Sequence, residues 1–276
     1  MKKLKKYWIA AFFVFAGLLQ SCDDDEGYSI GDIANDWVTI RVEGEGVYSF
    51  TGDTWGTMYP AANAVWNYSL VEGQRAFLVF NPLFDNYYGY DVGIKPERIY
   101  PFLTKSVEEL TDENEEEFAD HPAYLENMWI AGGYLNVIFN QKLPTTHKHR
   151  VSLVKKAGEP DIADDGYIHL EYRYNTYGDT LDVFNPSVGV VCYNLNTLPL
   201  EEAKGIKLKI NEAYYGERIL SFENMNEPTP DDAKELHSIA RLEVNYISYR
   251  GSMFLFCFLW DEDMLFYLSI FSDLGK

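Results

Sequence analysis

Cysteine, positive charge and long apolar runs are what this chain has least of. Its 276 residues hold three cysteines, Cys22, Cys192 and Cys257. That is too few for a disulfide framework, and none has the C-x-x-C spacing of zinc or thioredoxin-type sites. Lys and Arg number 23 against 43 Asp and Glu, a formal net charge of −20. Nucleic-acid binding rests on clustered Lys and Arg set against phosphate, so this balance argues against it. No uninterrupted apolar run reaches the roughly 20 residues of a spanning helix. Long amphipathic helix patterns are missing. So are the G-x-S-x-G elbow, H-E-x-x-H and the P-loop. The fragment "GEGVY" (44–48) lies between β segments without a following helix and reads as a turn. No catalytic residue, metal ligand or cofactor is assigned.

What is there begins with Lys2, Lys3, Lys5 and Lys6, followed by an uncharged run from Tyr7 to Leu19. Such a run is too short to span a membrane and suits a secretory signal. It ends at Leu19-Gln20-Ser21-Cys22, which resembles the lipobox of bacterial lipoproteins, where the cysteine is acylated and becomes the first mature residue. Residues 1–21 are therefore expected to be a signal peptide, Cys22 the lipidation site and 22–34 an acidic tether. Two acyl chains suffice for stable anchoring. Asp23, Asp24, Asp25 and Glu26 cannot enter the bilayer and hold the tether off an anionic surface. They also resemble the export signal that sends lipoproteins to the cell surface in one group of Gram-negative anaerobes. The expected location is the outer membrane, on the cell surface, with the periplasmic face as the alternative. Losing residues 1–21 removes four lysines and no acid, leaving 19 basic side chains against 43 acidic ones.

From Asp36 onward the pattern is β. "WVTIRVEG", "GVYSFTGD", "TWGTMYP", "QRAFLVFNPLFD", "YGYDVGI" and "ERIYPFL" are short runs bounded by Gly and Asp turn signals. "AANAVWNYSL" (61–70) breaks the alternation and suggests a helical turn. So many short strands in 35–104 fit a small closed barrel of OB type. In Glu108–Asp120, eight of 13 residues are acidic, and 105–120 reads as a linker; calcium coordination is disfavoured because the EF-hand spacing is absent. Residues 121–248 hold two runs around Gly132-Gly133, then "HRVSLVKK", "GYIHLEYRYN", "SVGVVCYNL", "KGIKLKINEA", "RILSFEN" and "IARLEVNYI". This is an antiparallel β-sandwich pattern. The fold class is thus all-β, an N-terminal OB-like barrel followed by a C-terminal sandwich. The tail 249–276 is apolar around Asp261-Glu262-Asp263. It reads as an inserted hairpin or an appended segment, and these central acids exclude a membrane span.

Cys192 and Cys257 lie in apolar runs and read as buried thiols, although an oxidising compartment permits their pairing. His147 and His149 share one side of a strand, and His169 could complete a metal site; a polar turn explains the pair as well. Carboxylates are too numerous for any pair to be singled out. The aromatics are more informative. "DNYYGYDVG" places Tyr87, Tyr88 and Tyr90 in a Gly/Asn/Asp loop, and Trp55 and Trp66 flank another loop-rich stretch. Exposed Tyr and Trp suit a binding patch; covering a small core is the competing use.

"TGDTWGTMYPAAN", "VEGQRAFLVF", "RIYPFLTK" and "HPAYLENMWIAGGYLNVIFN" together resemble the NigD-like lipoproteins, with "MWIAGGYLN" (128–136) the most specific part. The resemblance runs from about Asn35 to Phe222, weakens to Ile247 and does not include the tail. It implies an OB-type domain joined to a β-sandwich, a role in bacteriocin immunity, and no catalytic residues. The expected partners are the membrane, through the anchor, and either a basic protein toxin or a glycan. The latter would make the chain a carbohydrate- or envelope-component-binding accessory lipoprotein. The protein is expected not to be an enzyme.

Overall fold

The structure is a computed structural model that describes residues 27–29, 31–44, 46–62, 70–142, 149–179, 186–234, 256–257 and 268–269. Five strands, β1 (Ala34–Gly44), β2 (Val47–Gly52), β3 (Gly56–Pro60), β4 (Arg75–Tyr87) and β5 (Tyr90–Pro101), close into a barrel in the order β1-β2-β3-β5-β4. The β3–β5 pairing is parallel and the others antiparallel. Closure leaves these strands no free edge.

The second half is a sandwich. One sheet has four strands in the order β6-β12-β9-β8: β6 (Leu103–Ser106), β12 (Pro186–Asn194), β9 (Tyr134–Lys142) and β8 (Tyr124–Ala131). The other has five, in the order β14-β13-β11-β10-β7: β14 (Gly216–Phe222), β13 (Ile206–Glu212), β11 (Ile168–Asn175), β10 (Arg150–Lys156) and β7 (Glu108–Leu110). Gly132 and Gly133, at φ of +60° and +82°, make the expected hairpin between β8 and β9. Three pairings differ from the antiparallel expectation: β7–β10, β11–β13 and β6–β12 run parallel.

The acidic stretch 105–120 is not a linker. It supplies the end of β6, all of β7 and a short helix, α1 (Glu115–Phe118). Leu110 and Phe118 bury against Val154, and Arg150 lies 4.4 Å over the Phe118 ring. Glu108 is held by Lys105 at 3.1 Å and Arg150 at 2.5 Å, while the Asn175 amide caps the Glu117 carbonyl at 2.9 Å. Two apolar anchors and two cations outweigh the acidity of the run. The possible helical turn falls mostly, and "IARLEVNYI" wholly, outside the described residues. In the tail, β15 (Phe256–Cys257) and β16 (Leu268–Ser269) pair antiparallel with each other in a separate two-stranded sheet.

Strand alternation builds three layers. Along β1, Val38 and Ile40 fill the barrel while Trp37 points into a second core between barrel and sandwich. β4 divides in the same way, Ala76, Leu78 and Phe80 inside the barrel and Phe77 and Val79 in the junction. From the sandwich, β9 sends Leu135, Val137 and Phe139 to its own core, and Tyr134 and Ile138 to the junction. Both faces of β4 are buried at the junction, so "AFLVF" (76–80) reads as a continuous apolar run.

Candidate functional site

The β4–β5 hairpin turns at Tyr88 and Gly89, both at positive φ, +51° and +90°. That conformation costs a non-glycine residue on the order of 1–2 kcal/mol, yet Tyr88 is 85% exposed. Strain spent to raise a ring into solvent points to use rather than packing. Beneath the tip the rings form a chain: Phe84 to Tyr87 at 5.3 Å and 18°, Tyr87 to Tyr59 at 6.1 Å, and Tyr59 to Tyr90 at 5.1 Å, with Tyr88 edge-on to Tyr87 at 4.6 Å. Gly93 makes room for it, because a Cβ there would meet the Tyr87 ring at 2.7 Å.

Three carboxylates flank the rings and accept from neutral donors. Glu43 takes the Tyr90 and Ser49 hydroxyls at 2.6 and 2.8 Å, which holds its pKa below the usual carboxylate value and raises that of Tyr90. Asp91 takes the Thr57 N–H and hydroxyl, both at 2.7 Å, and is likewise lowered. Asp85 accepts the Tyr28 hydroxyl at 2.7 Å, and that bond raises the Tyr28 pKa. Tyr28 also packs 6.2 Å from Trp55, and Trp55 sits edge-on to the buried Phe80 at 5.3 Å.

Of the expected patch, the structure thus brings Tyr87, Tyr88 and Tyr90 together. Trp55 is half-buried: its ring packs against the barrel core and meets Tyr28, which reaches Asp85 of the hairpin. Trp66 lies outside the described residues, as do Cys22, Asp23, Asp24, Asp25, Glu26 and His147. Sequence reading missed a second tip. The β13–β14 turn exposes Tyr214 and Tyr215 at 75% and 73%. Tyr214 packs 5.5 Å from Tyr124, and Arg218 lies 5.1 Å over Tyr215. The signal was available, because "YYG" occurs at 87–89 and again at 214–216.

The histidines do not converge. His149 is buried between the Tyr174 hydroxyl at 2.5 Å and Asp179 at 3.2 Å. His169 lies about 17 Å along β11 from Tyr174 at ordinary strand rise and contacts Asp165. Among the described residues no group of three or more His, Cys, Asp or Glu is placed to hold a metal ion. Cys192 is a buried free thiol, its pKa pushed up to about 12 by burial. No helix among the described residues is long and apolar enough to cross a membrane.

The "MWIAGGYLN" segment has its own geometry. Trp129 stands edge-on to Trp37 at 4.8 Å in the junction. Arg75, fully buried, donates to Asp53 from both terminal nitrogens at 2.9 and 2.5 Å, to Thr39 at 3.2 Å and to Asn136 at 3.4 Å. Its guanidinium lies 5.2 Å over the Tyr134 ring, and the Tyr134 hydroxyl donates to the Gly73 carbonyl at 2.7 Å. A Cβ at Gly132 would come within 2.6 Å of the Asp53 carboxylate. These residues join the two domains.

A closed five-stranded barrel clamped to a mixed sandwich defines the class, an OB-plus-sandwich protein with exposed tyrosine tips. Residues 37–100 match the NigD-like N-terminal OB domain and 106–223 the NigD-like C-terminal beta sandwich domain. The chain belongs to the NigD-like family. Among solved structures it is similar to a protein of unknown function from Bacteroides vulgatus, with 23% identity and a TM-score of 0.64 over 76% of this chain and 99% of that one. It is also similar to a protein described as toxin-related from Parabacteroides distasonis, at 28% identity and TM-score 0.59, covering 71% and 95%. A NigD-like immunity protein from Bacteroides caccae shares the fold at 13% identity and TM-score 0.50, covering 71% and 95%. Comparison with curated proteins gives no match.

Proposed function

We propose that this chain is a lipid-anchored, non-enzymatic binding protein that uses exposed tyrosine tips as its contact surfaces, with bacteriocin immunity as its concrete form. The observation that carries this reading is the Tyr-Tyr-Gly tip raised on each domain, with Tyr88, Tyr214 and Tyr215 at 85%, 75% and 73% exposure. Tyr is the side chain interfaces favour as an anchor, a rigid ring with a polar end. The name of the Bacteroides caccae relative agrees with immunity, and the lipobox-like Leu19–Cys22 supplies the anchor. The 19 basic against 43 acidic side chains left after residues 1–21 suit a basic toxin and would steer its approach. Deleting the gene should sensitise cells to the cognate bacteriocin. Re-expressing the chain should restore survival, and the Tyr214→Ala, Tyr215→Ala double variant should restore it at least tenfold less well. Equal survival of deleted and wild-type cells would remove immunity.

A further inference from the structure

The β4–β5 tip lies beside the point where the tether leaves the fold. Tyr28 is fixed by its hydroxyl on Asp85 at 2.7 Å and by its ring against Trp55 at 6.2 Å. The turn behind it is closed by the Asp32 carboxylate accepting the Ser29 N–H at 2.7 Å. The chain therefore departs beside the β4–β5 hairpin. Cys22 precedes Tyr28 by six residues, at most about 20 Å of extended backbone. Asp85 is three residues from Tyr88, at most about 10 Å more.

From this geometry, and resting on the lipid anchor proposed above, we infer that the β4–β5 hairpin is a membrane-contact surface. Tyr88 and Phe84 sit at headgroup level of a zwitterionic bilayer. The sandwich tip, Tyr214 and Tyr215, is left to the protein partner. Tyrosine is enriched where an apolar ring must meet a wet, polar layer, as at the rims of membrane proteins. Phe84, 51% exposed and stacked on the Tyr87 ring that Tyr88 meets edge-on, adds an apolar ring to the same hairpin. The carboxylates select the lipid. Among the described residues Glu43, Asp85 and Asp91 are held by hydroxyl and amide donors and none is in an ion pair, so exposed negative charge surrounds the tip. It repels anionic headgroups and suits the outermost ammonium of phosphatidylcholine or phosphatidylethanolamine.

Hydroxyl-radical footprinting tests this on the wild-type acylated chain, in phosphatidylcholine–phosphatidylethanolamine vesicles and as the soluble chain starting at residue 23. On vesicles, oxidation of Phe84 and Tyr88 is expected to fall at least threefold while Tyr214 and Tyr215 keep their rates. Adding phosphatidylglycerol should reverse part of the protection. Tyr28→Phe, which keeps the ring but cuts the bond to Asp85, should weaken it in the acylated chain. Equal oxidation of Tyr88 in both forms, or equal loss at all four rings, would overturn the inference while leaving the anchor intact. A mature chain whose Cys22 carries no acyl mass would overturn the anchor and this contact together.

Discussion

At the residue scale the most consequential group is Arg75, a cation with no exposed surface at the boundary of two domains. Burial alone would push its pKa down, but the bidentate Asp53 carboxylate outweighs burial and leaves it raised. Such a pair is weak evidence of net stability, because desolvation offsets much of the attraction. Removing one partner is a different matter, since it strands the other charge in a dry site. Arg75→Ala is expected to cost about 3–5 kcal/mol, read as a fall in the urea midpoint. The Arg75→Met, Asp53→Leu double variant should recover a large part of that loss. A double variant as unstable as the single would mean that the pair contributes more than the removal of a stranded charge. None of this was legible in sequence, where "VEGQRAFLVF" shows only an arginine opening an apolar strand. Its partner lies 22 residues earlier in a Gly-Asp turn, and long-range pairing of that kind leaves no local periodicity.

At the scale of elements, alternation made the barrel and sandwich strands readable, because period-two burial is local. What failed was the reading of charge. A run with eight acids in 13 residues suggested solvent, but Leu110 and Phe118 within it are anchors, and Glu108 is paired in β7. Parallel pairings were equally illegible, since alternation says nothing of strand direction. The tyrosine hairpin was found through its Gly and Asn neighbours, whereas Tyr59 and Phe84 joined it only through register. Glu108 gives this element a pH dependence. Burial works against its charge, but Lys105, Ser152 and Arg150 outweigh that and hold its pKa below the ordinary 4.5. A depressed folded pKa means the contribution is complete above the unfolded value and is lost as pH falls through the folded one. The stability gap between wild type and Glu108→Gln should therefore be constant from pH 7 to pH 6 and close progressively below about pH 4.5. Urea midpoints across that range check it, and a gap that widens in acid would contradict the assigned sign.

At the scale of the whole molecule, a single residue, Phe102, separates β5 from β6. Its ring packs 4.3 Å from Trp37, so the passage from barrel to sandwich is itself part of the junction core. Trp37, Phe77 and Val79 from the barrel meet Trp129, Tyr134, Ile138, Val188 and Val190 from the sandwich. The Trp37 indole is further tied to the Ala233 carbonyl at 2.9 Å, beside α2 (Asp231–Lys234). A barrel separated from the sandwich would expose this apolar face, at roughly 25 cal/mol for each Å² uncovered. The two domains should therefore unfold together despite their separate inner cores. Calorimetry of the soluble chain from residue 23 is expected to give one transition, with calorimetric and van't Hoff enthalpies equal. Trp129→Ala should cost about 3–5 kcal/mol and lower that transition as a unit. Two resolved transitions in the wild type would mean that the junction is weaker than its packing implies. The barrel would then turn independently of the sandwich. A single transition has a consequence for function, because a rigid junction lets whatever orients the β4–β5 hairpin orient the sandwich tip as well. The direction in which Tyr214 and Tyr215 face a partner would then be set by where Tyr28 fastens the tether.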